Sequence, residues 1–591
     1  MPDERSFLAL GQCLLIKARR LEDPAAFQSA ETILSNERLF ITPYAQSQAL
    51  LLRAEAAPSY AERDELYRRL TDISNSKNPL YAYGWYMRGL NDFEEKSYND
   101  ASESFAKAVQ LFTASDPARA AMAIKHQALS LFHQQNKEEA FRLLDQLIHR
   151  QPELFEAVEN KASLFYLAGL VSSDEALLKE GLERFPHDPD AAPMLLLLGQ
   201  LYQKKGLLDA AEKTFVELVM LFPDSPLAGE ALFWAASSAE QLKKDDALVK
   251  EYRKHVFEGY PKSPHAAEAY LAFYPYRDYL QGSRTPLKHL EALPSKFPES
   301  PLQITAYYLI GLDHKKDRLS PEGKVVRRKN MLAAIDAFQD AEAAFDSLLQ
   351  QKLIPVDQLD YYTDLRYRTI LERALANLAI AEESEGAKKE IYFDYAEEVF
   401  RQVVDDFTEG KITLKQDPYP RLWEESEFWL AHTYIQAGKD AKADKLLSQM
   451  IDRYRHAGVT KGYFLSRTRF EQGMLAMRKR DFPAALNKLT LAEEASSGKV
   501  LSTDQRLDLW IQQSLCYREM KQYDQAMLLL SQVINDDSIS GLRLKAMYLR
   551  AEIYELQGRP ELALKQWEAT AKKGGEWGQK AKAKITRRSN N

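Results

Sequence analysis

With only two cysteines in 591 residues, Cys13 and Cys516, the chain has no disulfide framework, no zinc-binding spacing and no redox pair. Each is expected to sit in helix packing. Glycine is scarce at 24, while Ala, Leu, Glu, Lys and Gln are abundant, a composition that favours helices over strands. No apolar run approaches the ~18 residues of a membrane span. Net positive charge is also missing. Lys and Arg number 79 against 86 Asp and Glu, so at a net −7 the whole-molecule field does not draw the chain toward nucleic acid or an anionic membrane. The familiar catalytic signatures are absent too: no GxxxxGK[ST] phosphate loop, no GxGxxG, HExxH or GxSxG, and no calcium loop. The ten histidines are scattered, and His126 and His133 are too far apart along one helix for an i, i+4 ligand pair. Neither an enzyme, a cofactor nor a metal is expected.

What the chain does contain is a repeat. From Met194 to Pro226 it reads as two short helices joined by a turn. Leu195, Leu198, Gly199 and Tyr202 form one stripe at helical period, and Ala211, Phe215 and Leu218 form another. Gly199 and Ala211 are small where the helix axes are expected to come closest, Gly206 permits a sharp connection, and Pro223 ends the second helix. One pair cannot bury both its faces alone, so further copies must stack beside it.

These spacings resemble the tetratricopeptide repeat (TPR), whose pattern is L-G-x2-Y, then A-x3-F and a closing P. The resemblance implies an all-α, TPR-like α-solenoid, a superhelix of roughly a dozen antiparallel helix pairs. Degenerate copies are read through Ala18, Ala30 and Leu34, then through Ala49, Leu52 and Ala61. Clearer ones follow at Trp85, Gly89, Tyr98, Ala101 and Phe105, with Asp92 in place of the expected Tyr, and at Ala128, Ala140, Leu144 and Leu147. Glu153 to Phe185 is a weaker pair. Ala235, Ala247 and Pro261 mark another.

Regular copies resume at Trp423, with Leu430, Ala431, Tyr434, Gly438 and Ala443. Later copies carry Gly473, Ala485 and Leu489, then Trp510, Tyr517 and Ala526, then Ala551, Tyr554, Gly558 and Ala563. A polar helix from Gly578 to Arg588 has the character of a solenoid cap. Between Pro301 and Pro420 the period breaks, and Lys315 to Lys329 and Thr408 to Pro420 read as loops. The expected division is therefore an N-terminal array over 1–300, an irregular helical segment over 301–420 and a C-terminal array over 421–591.

A second regularity, FPDSP at Phe222, YPKSP at Tyr260 and FPESP at Phe297, combines an aromatic, a helix-ending Pro and a Ser able to cap the next helix. This triplet is similar to that of bacterial envelope TPR proteins, the periplasmic Tol-Pal-associated protein and the lipoprotein of the outer-membrane assembly machinery. It implies a role in envelope assembly. The start, MPDERSFLALGQCLL, reads as a first helix, not a signal sequence or lipobox, because Asp3 and Glu4 offset Arg5 and Gln12 precedes Cys13. Two compartments stay open: cytoplasm if Met1 is the native start, periplasm or envelope if an export signal has been removed.

Candidate contact residues form a stripe on the first helices, offset from the packing stripe. Tyr83, Tyr86, Leu90 and Phe93 share a 3, 4, 3 spacing with Glu425, Phe428, His432 and Ile435, and with Arg467, Phe470, Met474 and Met477. In TPR proteins this face lines the groove, where aromatics and Met suit an apolar or extended peptide. The same residues could instead pack inside the array. A carboxylate clamp would need Lys and Asn one turn apart, but Lys125 is followed by Leu129. The expectation is a non-enzymatic scaffold for protein partners. The alternatives are an assembly subunit using its outer surface, or a nucleic-acid- or lipid-associated module using the basic loop Lys315 to Lys329 and the basic tail. The run Phe273, Tyr274, Tyr276 and Tyr279 is read as packing around Pro275.

Overall fold

The computed structural model describes residues 3–73, 78–274, 287–319, 325–411, 421–496, 500–536 and 541–589. They fall into two compact units, 1–277 and 278–591, each built from helix pairs. In the first unit the pairs are Glu4–Leu21 with Pro24–Leu34, Pro43–Ala56 with Tyr60–Ile73, and Pro79–Glu94 with Tyr98–Phe112. Pro117–His133 follows with Lys137–Asp145, then Ala162–Ser172 with Glu175–Arg184, Ala191–Lys204 with Leu208–Leu221, and Ala228–Gln241 with Asp246–Gly259. In the second unit Leu302–His314 pairs with Met331–Gln350, Leu359–Glu383 with Gly386–Thr408, and Arg421–Gln436 with Asp440–His456. Tyr463–Arg478 then pairs with Phe482–Ser496, Thr503–Glu519 with Tyr523–Asn535, and Gly541–Leu556 with Pro560–Lys572. Within each unit first helices also touch the first helices of neighbouring pairs. The fold is an all-α, TPR-like solenoid, as the spacing predicted.

The pairing rests on a glycine-to-ring contact. A Cβ built on Gly199 would overlap the Phe215 ring, and the same holds for Gly89 against Phe105 and Gly311 against Phe338; at Gly473 the partner is Leu489. The glycine therefore makes room for the large residue of the facing helix rather than for Ala211, which is itself fully buried. Phe215 has no exposed surface, and burying a ring of that size contributes about 2–3 kcal/mol.

The turn inside each pair is equally regular. Gly206 has φ +75°, and the next amide, Leu207 N, donates back to Tyr202 O at 2.9 Å. This is a left-handed C-terminal motif that satisfies otherwise orphaned helix carbonyls. Gly438 and Gly558 repeat it with Lys439 N and Arg559 N on Tyr434 O and Tyr554 O. Lys96, Gln135, Lys243, Arg480 and Lys521 hold the same conformation, with φ between 54° and 65°, despite carrying a Cβ.

The aromatic-Pro linkers form one turn three times over. Ser225 N donates to Phe222 O (3.0 Å), Ser263 N to Tyr260 O (2.9 Å) and Ser300 N to Phe297 O (3.1 Å). Each Ser Oγ then accepts from the amide two residues on: Leu227, His265 and Leu302. The serine thus closes a turn ahead of the helix and does not occupy its N-cap. A fourth copy lies at Phe185 to Pro189, where Asp188 takes the serine's place and accepts from Asp190 N at 2.9 Å.

Several expectations shift register. Ala61 is exposed, and the second pair packs instead through Leu66, Tyr67 and Leu70. Leu34 of the first pair seats against Gly11, which the repeat reading did not include. Cys516 is fully buried, its thiol pushed up to about 11 by burial, but Cys13 is exposed. Lys315 to Lys329 is more than a loop: Arg318–Leu319 pairs antiparallel with Val325–Arg327. Thr408 still belongs to a helix, and most of the expected loop beyond it lies outside the described residues, as do Pro275, Tyr276 and Tyr279. Phe273 packs edge-on against both Tyr274 and Phe257, and Tyr274 lies tilted against Phe257. The closing helix runs Gly575–Ser589 and buries Ala581.

Candidate functional site

Three of the nine candidate contact residues are taken up by packing. Phe428 is 1 % exposed, wedged against Phe464, while Tyr86 and Phe470 are 7 % and 8 % exposed. The periodicity that places a residue next to the packing stripe does not say how far the neighbouring pair covers it. Tyr86 meets the His126 ring edge-on, and its hydroxyl lies 3.3 Å from His126 Nδ1. Phe93 is half-buried between Tyr98 and His133. Both histidines are thus packing residues. Burial lowers the pKa of His126, the largest influence on it.

Tyr83, His432, Arg467, Met474 and Met477 remain partly accessible. Tyr83 lies under the Arg119 guanidinium at 5.4 Å. Lys125 donates to Ser163 Oγ at 2.8 Å, which binds it to the next first helix instead of leaving it as a clamp residue.

In the second unit the accessible candidates converge on a charged lattice. His432, on Arg421–Gln436, reaches Glu382 on the preceding first helix with Nε2 (3.4 Å) and Glu471 on the following one with Nδ1 (3.2 Å). Arg467 donates to the same Glu471 oxygen at 3.4 Å, and its guanidinium lies 4.6 Å above the Phe470 ring. Three consecutive first helices are thereby tied by charge-assisted bonds. Burial, the largest single influence on His432, opposes its protonation. The hydrogen bonds from its two carboxylate partners, with their charges, outweigh it and raise the imidazole to about 9. Met474 and Met477 lie next to this lattice, half-buried over the cluster around Leu489 and Leu509.

Further along the same face the polar character continues. Lys315 bonds Glu372, Arg368 bonds Asp364 at 2.6 Å, and burial raises the Glu425 carboxyl. The face is therefore an ion-paired ribbon with an apolar island at the methionines, less apolar than the stripe suggested. Glu382 and Glu471 were missed by the sequence reading. Arg467 and Glu471 at i, i+4 were a usable signal, whereas Glu382 depends on the stacking register.

Among the described residues no group of three or more His, Cys, Asp or Glu could hold a metal ion, and no helix is long and apolar enough to cross a membrane. The basic loop is partly neutralised: Lys329 bonds Glu383 and Arg328 lies 3.8 Å from Asp317.

Sequence profiles of the tetratricopeptide repeat match residues 126–189, 196–264 and 508–538. The chain carries TPR repeats in both of its units. No curated protein sequence matches it. Among solved structures it is similar to the APC/C hetero-tetramer Cut9-Hcn1, at 14 % identity over 88 % of this chain and 98 % of that one, with a TM-score of 0.32. It is also similar to Naa15/Naa10 bound to HypK-THB (12 % identity, 98 % and 96 % coverage, TM-score 0.31). A third likeness is to the C-terminal part of a TPR repeat-containing protein from Cytophaga hutchinsonii (16 % identity, 44 % and 98 % coverage, TM-score 0.32). Likenesses at this level carry no argument about function.

Proposed function

We propose that this chain is a non-enzymatic scaffold that holds a segment of a protein partner against the first-helix face of its second unit. Arg467, Met474 and Met477 make the contact in this reading, with Tyr83 as a separate contact in the first unit. The observation that carries it is the Glu382–His432–Glu471–Arg467 lattice, which fixes three helices beside two half-buried methionines. A surface held rigid before binding loses little entropy on association, and thioether side chains adapt to the partner's shape.

The test is a photo-crosslinking amino acid placed at Met474 and, as control, at Arg328, in the native cell. Adducts to another protein from position 474, and none to that protein from 328, support the reading. Adducts from 328 alone would overturn it in favour of the basic loop. The nucleic-acid and lipid alternative loses support from the pairing of Lys315, Arg328 and Lys329 with acids of the same unit.

The aromatic-Pro-x-Ser-Pro turns favour a second reading, in which this scaffold serves bacterial cell-envelope assembly. Fractionation of native cells tests it, since recovery of the chain only with cytosolic markers would rule that role out.

A further inference from the structure

Among the described residues, eight lysines and arginines of the first unit are half-buried, and seven of them hold a carboxylate at salt-bridge distance, as Arg88 does with Asp64 (3.3 Å) and Lys161 with Glu156 (3.4 Å). Lys125 is the exception. A charge taken out of water is costly unless it is paired, so an amine at this position favours its neutral form.

The surroundings of Lys125 support that form. Its Nζ donates to Ser163 Oγ at 2.8 Å, a neutral acceptor at the start of helix Ala162–Ser172 whose own hydroxyl is committed to Asn160 O at 2.9 Å. Asp190 is turned to another partner, accepting from Asn160 Nδ2 at 2.6 Å. Burial lowers the pKa of Lys125, and the charge of Asp190 offsets only part of that. Neighbouring His126 is likewise lowered by burial, and Lys161, beside Ser163, spends its charge on Glu156. Met122, one turn earlier on the same helix face, is 48 % exposed, so this face is open to solvent.

We infer that Lys125 is a site of acylation by small thioesters. The neutral Nζ adds to the thioester carbonyl carbon, the C–N bond forms as the C–S bond breaks, and the thiol leaves with the proton that the nitrogen loses. The product fits the site. An amide carries no charge and keeps one N–H for Ser163 Oγ, so it removes the unpaired ammonium without giving up the bond between the two first helices. This site is independent of the second-unit face proposed above.

The probe is a trace of acetyl-coenzyme A, applied to the full chain at a series of pH values from neutral to alkaline, in buffer and in urea. Peptide mass spectrometry reads the acetyl occupancy of each lysine. Lys125 should be acetylated several-fold faster than the exposed Lys107 and Lys204, with a pH profile that begins to rise at lower pH than theirs. In urea that lead should vanish, because every lysine is then solvated. Acetylation of Lys125 no faster than that of the two exposed lysines at any pH, or a lead that persists in urea, would overturn the inference.

Discussion

His432 Nδ1 and Glu471 Oε1 lie 3.2 Å apart across two successive first helices, and Glu382 holds the other ring nitrogen. The folded imidazole is raised to about 9 from an ordinary 6.5. A base raised on folding stabilises fully below its unfolded pKa and loses that contribution as pH climbs through the folded one. The second unit should therefore lose about 2–3 kcal/mol between pH 6.5 and 9, tempered by the exposure of Glu382. His432→Gln should be flat over that window. Denaturant unfolding followed at several pH values checks it, and parallel slopes for the two proteins would contradict the assignment.

Asp92 presents the opposite sign. It is 1 % exposed and accepts from Tyr60 Oη (3.1 Å) and Ser104 Oγ (3.4 Å), and burial, the largest influence, lifts its carboxyl to about 6. Arg88 is occupied by Asp64, and Arg63 by Asn91 and Glu94. An acid raised on folding costs stability once ionised, so wild-type stability should rise as pH falls from about 6 toward 4. Asp92→Asn keeps an acceptor without the charge. It should stabilise the first unit by about 2–3 kcal/mol at pH 8 and by almost nothing near pH 4.

Two glycines seven positions apart should respond by different mechanisms. Gly199→Ala drives a methyl into the Phe215 ring, and overpacking of that kind costs about 1–3 kcal/mol. Gly206→Ala meets no atom, because open space surrounds it, but φ +75° makes an L-residue costly by about 1 kcal/mol. Lys521→Gly, at an equivalent turn with φ +60°, should be neutral to stabilising. Thermal melts of the three variants separate packing from backbone strain.

The linker turns predict exchangeable turn-closing residues. Ser225→Ala and Asp188→Ala should each cost about 1 kcal/mol, the worth of one hydrogen bond, whereas Ser225→Asp and Asp188→Ser should stay within a few tenths. Unfolding midpoints measure this directly. Equal losses in the alanine and exchange variants would mean that the oxygen is not what the turn requires.

Much of this was legible in the residues alone. Gly199, Tyr202, Gly206, Ala211, Phe215 and Pro223 place two helices, their turn and their end, because each position has a local steric reason to be small, large or ring-closed. Degenerate copies were harder to read. Ala61 carried the small-residue signal and is exposed, and Asp188 performs a serine's role under a different letter.

The sequence by itself determined the helix pairs, because 3.6-residue periodicity and turn chemistry are local properties of the chain. Which stripe residues remain accessible was decided only by the tertiary structure. Phe428 and His432 share one helical stripe, yet one is sealed against Phe464 and the other is held between carboxylates of two neighbouring helices. Stacking register brings Glu382, His432 and Glu471 together, and register is a relation between repeats that no single repeat encodes.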